Sequence, residues 1–475
     1  MSGSALQQGL SKKHMLGYGV GGYGAAMFYN NFCFYALYFF TDYVGIAPVI
    51  ASTIISLGAI WDAITDPLIG NLSDRRDPAR GRRRPFILFG AIPLALFNWL
   101  VFTDVGLKGN AAVFYFALMT LGAYLFQTIV DIPYTALGAE LTQDYDERAK
   151  LSAYRNFFWL VSIVVSRYFL GIASFAGDAL GSGLKGYSIA SLICSIPIVI
   201  SLFITYYSTK GKELTVVHSG SDANKNFNWK KSIVEPLKNK PFAFVTALFA
   251  LSIVAQAVNN SVSIYFYAHV LEMSEVQTAN FLVFAAFAGF LGIWLAKKVS
   301  EIFSKKATWA IFMGLWAFSM GVIALFVLTP TSSLFIIIIF GLMYGMGMNV
   351  QYQLVWAMIP DCVEVDEFKT GERREGMFYG ITSLVQKIGA ALTIALAGVA
   401  LSMIGYDGTA ASQPDNVITG LRVLLGLGVT VPLLLSILFS ALNPMSREKH
   451  AALREAISLK RAGKAYSTEK FADLL

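Results

Sequence analysis

The chain has 475 residues, of which 56% are hydrophobic and 14% are charged, and its mean hydropathy is +0.58. Soluble domains carry roughly 25% charged residues, so this composition excludes a water-soluble globule. The formal net charge is +7, but the basic residues lie in short segments between apolar stretches, which argues against nucleic acid as a partner. We therefore expect a protein whose surroundings are the lipid bilayer.

Apolar stretches that are long enough to cross a bilayer, which takes roughly 20 residues, recur about twelve times. Their centres lie near Phe32, Leu57, Pro93, Leu121, Val161, Leu192, Leu251, Phe287, Met313, Gly341, Ala390 and Leu427. This pattern predicts an all-α integral membrane protein with twelve transmembrane helices in two six-helix bundles.

The distribution of basic residues predicts the orientation of these spans. If the N-terminus is cytoplasmic, most of the 37 lysines and arginines fall on the cytoplasmic side, and only Lys108 and Lys185 fall outside. Such a bias is typical of cytoplasmic loops. Residues 1–14 contain no apolar h-region, so we expect no removable signal peptide. The prediction is a multi-pass protein of the inner (plasma) membrane with both termini in the cytoplasm.

A basic, polar stretch from Lys210 to Lys240 divides six spans from six. The predicted parts are an N-terminal six-helix bundle at 1–210, a cytoplasmic central loop at 211–240, a C-terminal six-helix bundle at 241–445 and a cytoplasmic tail at 446–475. The basic composition of the tail favours a solvated or headgroup-facing segment. Transporters built from such repeats hold their solute near the midplane between the halves.

Three carboxylates lie inside predicted spans, where a charge is expensive and indicates a functional site by default. Asp62 and Asp66 share one face of span two, with Thr65 beside them, and Thr128 and Asp131 share a face of span four. These oxygens suit a hard monovalent cation such as sodium. Crowded carboxylates could equally share a proton, and the structural alternative is pairing with intramembrane Arg or Lys that only holds helices together.

Other polar residues within spans are candidates for binding a solute. Lys387 lies too deep in span eleven to reach the interface easily, and Arg155 lies just inside span five. Amide and aromatic groups that include Asn30, Tyr352 and Gln353 suit a polyhydroxylated ligand in a mostly apolar site. For each uncharged residue the alternative is packing between helices.

The loop between spans two and three sets an acid against a basic cluster. Asp74 and Arg75 end span two, and Arg82 and Arg83 precede span three. Such charges can hold two helices together on the cytoplasmic side, so we predict a cytoplasmic gate here.

Two motifs match enzyme signatures by their letters. Gly17-x-Gly19-x-x-Gly22 has the spacing of a dinucleotide fingerprint, but it opens an apolar span and no strand precedes it, which favours helix packing. Asp62-x-x-x-Asp66 is similar to the metal-diphosphate motif of intramembrane prenyltransferases, which need a second such motif on another helix. We therefore predict no enzymatic activity, and no cofactor apart from the coupling ion.

Five motifs distributed over both halves are specific when taken together. They are YFFTD at Tyr38–Asp42, WDAITDP at Trp61–Pro67, RRRPF at Arg82–Phe86, DIPY at Asp131–Tyr134 and the stretch Arg374–Lys387. This set resembles the glycoside-pentoside-hexuronide:cation symporters of the major facilitator superfamily. The resemblance implies the major facilitator fold, and symport of a sugar or glycoside with a monovalent cation.

The same resemblance implies roles for individual residues. The cation site would comprise Asp62, Thr65, Asp66 and Thr128, and the residues lining or adjoining the sugar cavity would be Asp131, Arg155, Tyr352, Thr382, Ser383 and Lys387. Thr65 replaces a sodium-site asparagine, so sodium and a proton both stay open as the coupling ion. The rival hypotheses are a same-fold carrier of an amphipathic lipid or other non-sugar solute and, more remotely, a prenyltransferase-like intramembrane enzyme.

Overall fold

The computed structural model describes residues 10–74, 81–142, 144–212, 235–322, 334–372, 374–410 and 412–474. Within these ranges the secondary structure is helical. The helices of the first half are α1 Lys12–Tyr38, α2 Pro48–Asp74, α3 Arg84–Val101, α4 Asn110–Leu141, α5 Tyr145–Arg167, α6 Phe169–Leu180 and α7 Gly183–Ser208. Those of the second half are α8 Lys240–Tyr265, α9 Glu275–Ile302, α10 Lys305–Gly321, α11 Leu334–Thr370, α12 Glu375–Met403 and α13 Asp415–Leu442. Most of the predicted central loop, residues 213–234, lies outside the described residues.

The number of long helices matches the number of predicted spans. Eight described helices are individually long and apolar enough to cross a membrane, and α5 and α6 pass the same test as a pair bent by 40°. With that pair taken as one span, the described helices up to α13 number twelve. Helices suit this environment because each backbone polar group must find its partner inside the protein when no water is present. The predicted fold class is confirmed.

The two halves share a local feature at the end of their first helix. Helix α1 continues into a π-helical turn at Phe39–Tyr43, and α8 continues into one at Phe266–Val270. Each turn is five residues long and rich in aromatic side chains. This correspondence supports an internal repeat.

Glycines on α1 allow its neighbours to approach closely. A Cβ added at Gly17 would lie 2.2 Å from Ser208 Oγ, and one at Gly22 would lie 2.5 Å from the carbonyl oxygen of Arg155. A Cβ at Gly19 would lie 2.6 Å from the side chain of Tyr154. The interpretation of this glycine motif as helix packing is therefore confirmed.

The described helices form two compact units. The first unit is Met1–Ser219 with Met273–Val283 and Gly398–Gln413, and the second is Gly220–Glu272 with Phe284–Ala397 and Pro414–Leu475. The start of α9 and the end of α12 thus pack with the first unit.

The tail is folded onto the second unit, so it is more than the solvated or headgroup-facing segment that its basic composition favours. Helix α14, Arg447–Arg461, and the 3₁₀ segment Glu469–Leu474 pack against the C-terminal end of α11. Leu453, Phe471 and Leu474 are fully buried there. Apolar residues of α14 recur at spacings of three and four on one face, so the helix buries a stripe and leaves its basic residues in solvent.

We expect Gly345→Ala on α11 to destabilise the second unit. Its new Cβ would lie 2.0 Å from the carbonyl oxygen of Ala285 on α9, whereas a Cβ at Gly380 on α12 would meet nothing within 4 Å. Overpacking of this kind costs about 1–3 kcal/mol, but the matched Gly380→Ala should be neutral or stabilising because alanine favours helix. Thermal unfolding in detergent tests this, and equal midpoints for the two variants would contradict it.

Candidate cation and solute sites

A buried cluster of oxygen atoms lies between α2 and α4 in the first unit. Thr128 Oγ1 donates a hydrogen bond to Asp62 Oδ1 at 2.8 Å, and Thr65 Oγ1 lies 3.2 Å from Thr128 Oγ1. Thr65 also donates to the main-chain carbonyl of Asp62 at 3.2 Å. Asp62 is only 9% exposed, and the two threonines are less so. The structure thus brings together three of the residues predicted to bind a cation.

The sequence on both helices explains why this cluster forms. Asp62, Thr65 and Asp66 follow the three- and four-residue spacing that places side chains on one helix face. One turn earlier on α2, a Cβ at Gly58 would lie 2.6 Å from the ring of Tyr124 on α4. Because Gly58 has no side chain, the ring of Tyr124 packs directly against α2 and the two helices lie close together. Thr128, on the next turn of α4, is thereby brought to Asp62.

Asp66 and Asp131 are half-buried and lie one helical turn or less beyond this cluster, on α2 and α4 respectively. Asp131 and Arg155 both lie near the hydroxyl groups of Tyr18 and Tyr134. The rings of these tyrosines stack with centroids 4.9 Å apart. The structure therefore places a carboxylate and a guanidinium near one tyrosine pair in the first unit.

The oxygen atoms of this cluster are of the kinds predicted to bind a cation. A carboxylate, two hydroxyl groups and a main-chain carbonyl are oxygen ligands of the kind that hard cations select. Each threonine hydroxyl can donate to an ionised carboxylate or turn a lone pair towards a cation. A proton on Asp62 could in turn be donated to Thr128. Sodium and a proton therefore both stay open as the ion predicted to bind here.

The predicted solute residues of the second unit lie on α11 and α12. Tyr352 Oη on α11 donates to Gln256 Oε1 on α8 at 2.7 Å. Thr382 is 1% exposed and donates to the carbonyl of Phe378 within its own helix at 2.9 Å. Ser383, the next residue, and Lys387, one turn later on α12, are half-buried.

The other two predicted solute residues, Asn30 and Gln353, have different surroundings. Asn30 Nδ2 on α1 donates to Ser162 Oγ on α5 at 2.9 Å, as in the packing alternative. Gln353, although adjacent to Tyr352, lines a separate cavity with residues of the α9–α10 turn such as Ser304.

The charges of the predicted gate meet at the end of α2. Arg83 forms an ion pair with Asp74, and its Nε donates to Glu140 Oε1 on α4 at 2.9 Å. Arg82 Nη2 lies 3.4 Å from Asp74 Oδ1, and Arg75 lies outside the described residues. Sequence reasoning missed Glu140, although an acid at the same end of span four as the DIPY motif signals a partner for the basic cluster.

Comparisons with known proteins agree with this architecture. The sequence model of the MFS/sugar transport protein family matches residues 17–447. The fold is similar to that of a bacterial homologue of the human lysosomal transporter Spinster, with a TM-score of 0.64 at 13% identity, covering 97% of this chain and all of that one.

Curated relatives are similar over nearly their whole length. An uncharacterized symporter of Synechocystis is 28% identical, covering 96% of this chain and 98% of that protein. A putative glycoside/cation symporter of Escherichia coli is 27% identical, with 87% and 88% covered. A putative sulfoquinovose importer of Salmonella typhimurium is 29% identical, with 88% and 86% covered. The resemblance carried by the five motifs is confirmed, and this chain belongs to the MFS/sugar transport protein family.

Proposed function

We propose that this chain is a secondary active transporter that moves a sugar or glycoside together with sodium or a proton by alternating access. The observation that carries the proposal is the 2.8 Å hydrogen bond from Thr128 Oγ1 to the buried Asp62 carboxylate. The family description and the relatives named as glycoside/cation symporter and sugar importer support it. They favour neither a lipid carrier nor an intramembrane enzyme.

The coupling ion is proposed to act by removing the charge of Asp62. A carboxylate buried in a membrane span is unfavourable until a proton or cation neutralises it. Solute then binds more tightly to the neutralised protein and, because coupling free energies are reciprocal, solute also raises the affinity for the ion. Asp66 and Asp131, on the same two helices, contribute further oxygens. No cofactor other than this ion is proposed.

Solute recognition is assigned to the residues that the family resemblance implies. In the first unit these are Asp131 and Arg155, and in the second they are Tyr352, Ser383 and Lys387, with Thr382 supporting the fold of α12. Tyr352 is held in place by its hydrogen bond to Gln256. Hydroxyl, carboxylate and cationic groups together suit the hydroxyls of a sugar.

The membrane placement is likewise a proposal. The bias of Lys and Arg supports an inner-membrane protein with both termini in the cytoplasm. In that orientation Asp74, Arg82, Arg83 and Glu140 form a cytoplasmic gate whose ion pairs hold the ends of α2 and α4.

Solute-induced ion movement in reconstituted vesicles tests the proposed function directly. Neutral glycosides, uronides and a sulfonated sugar would be screened with sodium-sensitive and pH-sensitive dyes side by side. A sodium signal or a pH signal with one sugar class supports the proposal and identifies the ion. Silence across the whole panel, with protein shown to be folded and inserted, would overturn it.

Asp62→Asn is expected to abolish accumulation of solute against its gradient, because the neutral amide removes the charge on which ion binding depends. Passive exchange of solute across the vesicle membrane should persist. The matched control is Asp104→Asn, in the loop that follows α3, which should accumulate solute normally. Uptake of radiolabelled solute under an imposed ion gradient measures both, and concentrative uptake by Asp62→Asn would refute the assignment.

Thr128→Val is expected to change the apparent affinity for the coupling ion roughly tenfold, the size expected for one hydrogen bond to a charged group. Sodium would bind more weakly because it loses a hydroxyl ligand, whereas a proton would bind more tightly because the ionised Asp62 carboxylate loses a hydrogen-bond donor. Thr120→Val is the control because Thr120 is also fully buried on α4 and its hydroxyl has no hydrogen-bond partner among the described residues. The ion dependence of uptake provides the measurement. Equal effects of the two substitutions would show that Thr128 does not serve the ion.

Arg83→Ala is expected to lower the stability of the first unit by about 2 kcal/mol, since hydrogen bonds to charged groups contribute about that much. It would also leave Asp74 and Glu140 with weaker partners and reduce the rate of uptake. Arg82→Ala, which removes only longer contacts of 3.4 and 4.0 Å to the same acids, should change both quantities less. Thermal unfolding and initial uptake rates measure the two quantities. A larger loss of stability or uptake rate in Arg82→Ala than in Arg83→Ala would contradict the gate assignment.

A further inference from the structure

A cavity of about 480 Å³ lies within the second unit, where α9, α10, α11 and the tail meet. Its apolar walls come from three helices, and they include Val245, Ala296, Leu354, Ala357 and Met358. Several cationic side chains line the same space. We call it the α9–α10 cavity.

Some of its charged groups already pair with each other. Lys305 Nζ lies 2.6 Å from Asp361 Oδ2, so these two charges compensate. His450 Nε2 lies 2.8 Å from Glu364 Oε2 and 3.6 Å from Asp361. These pairs tie α10 and α14 to α11 and leave little net charge.

Three further cations of the lining have no acidic partner among the described residues. Lys306 and Arg447 donate to main-chain carbonyls, those of Asn443 and Glu301 respectively. Lys297 makes no hydrogen bond or ion pair within the described part of the chain. Glu301 is the acidic residue of the lining that remains to offset them. The lining of the cavity therefore carries an excess of positive charge, which favours the binding of an anion.

A buried polar atom in the lining also lacks a partner. Gln353 Oε1 is buried and accepts no hydrogen bond from the described residues. Buried polar atoms are nearly always satisfied by protein, water or ligand. A hydroxyl group of the occupant would supply the missing donor.

The neighbouring surface has features of a membrane interface. Ile302 and Phe303, in the α9–α10 turn, are 71% and 59% exposed. Trp294 is 53% exposed, and Lys298 Nζ lies 3.8 Å from the centroid of its ring. Exposed tryptophan and lysine of this kind are typical of the headgroup level, where apolar side chains reach the acyl chains.

We propose that the α9–α10 cavity binds the hydroxyl-bearing headgroup of an anionic phospholipid, with its phosphate against Lys297, Lys306 and Arg447. Basic pockets between transmembrane helices on the cytoplasmic side bind anionic headgroups in this way. The exposed apolar turn beside the cavity favours a lipid over a free phosphate compound, because it offers a surface for the acyl chains. The bound lipid links α9, α10 and α14. The inference concerns a site apart from the coupling residues and does not depend on the identity of the transported solute.

The test uses the purified full-length protein in neutral detergent, with phosphatidylglycerol as the probe and phosphatidylcholine as the neutral lipid. Phosphatidylglycerol should raise the thermal midpoint and give retained adducts in native mass spectrometry, because a ligand of the folded state stabilises it. Replacing Lys297, Lys306 and Arg447 together by glutamine should abolish the shift, with roughly a fivefold loss of affinity for each charge removed. The control is a second triple variant that removes the same number of exposed cations elsewhere: Lys12→Gln, Lys13→Gln and Lys464→Gln. Phosphatidylglycerol should still raise the thermal midpoint of this control.

Two further arms separate the sources of the phosphate. Inorganic phosphate and glycerol 1-phosphate should have no effect, and a shift equal to that of the lipid would show a site for a soluble phosphate compound instead. Equal losses in both triple variants would show attraction by overall charge alone. If the cavity triple variant does not fold, Lys297→Gln replaces it, because that side chain is exposed and makes no hydrogen bond or ion pair within the described residues. No lipid shift in the unmodified protein would overturn the proposal.

Discussion

A carboxylate buried inside a membrane span is the constraint on which the first unit depends. Asp62 lies in the middle of α2, and its oxygen accepts a hydrogen bond from Thr128 on α4 at 2.8 Å. A hydrogen bond lowers the unfavourable energy of such a group without removing its charge. Under the proposed function, neutralisation of this carboxylate by a proton or a cation would link the stability of the helix pair to the occupancy of the site.

Close approach of the helices is what makes this arrangement possible. Gly58 lets α4 reach α2 in the first unit, and Gly345 does the same for α9 and α11 in the second. In a membrane, helix association depends on packing and on hydrogen bonds between helices rather than on exclusion of water. Small residues therefore position the functional groups, although they take no part in the chemistry.

Several charged side chains at the helix ends form ion pairs between helices. Arg83 joins Asp74 and Glu140, and Lys305 joins Asp361, so each unit has an ion pair that holds helices together. In contrast to these pairs, the α9–α10 cavity keeps cations that form no ion pair within the described part of the chain. The folded tail contributes to that cavity, which gives the basic C-terminal segment a structural position rather than a purely solvated one.

The sequence by itself determined the helical class, the number of spans, the family and the helix faces that carry Asp62, Thr65 and Asp66. These properties follow from local quantities, namely apolar run length, helical periodicity and motif spacing. Only the tertiary structure decided that Asn30 bonds Ser162, that Gln353 faces a different space from Tyr352, and that Glu140 joins Arg83. It also decided that the tail buries Leu453 and Phe471. These findings depend on how residues far apart in the chain meet, because helical periodicity indicates which face a residue occupies but not which other helix that face will meet.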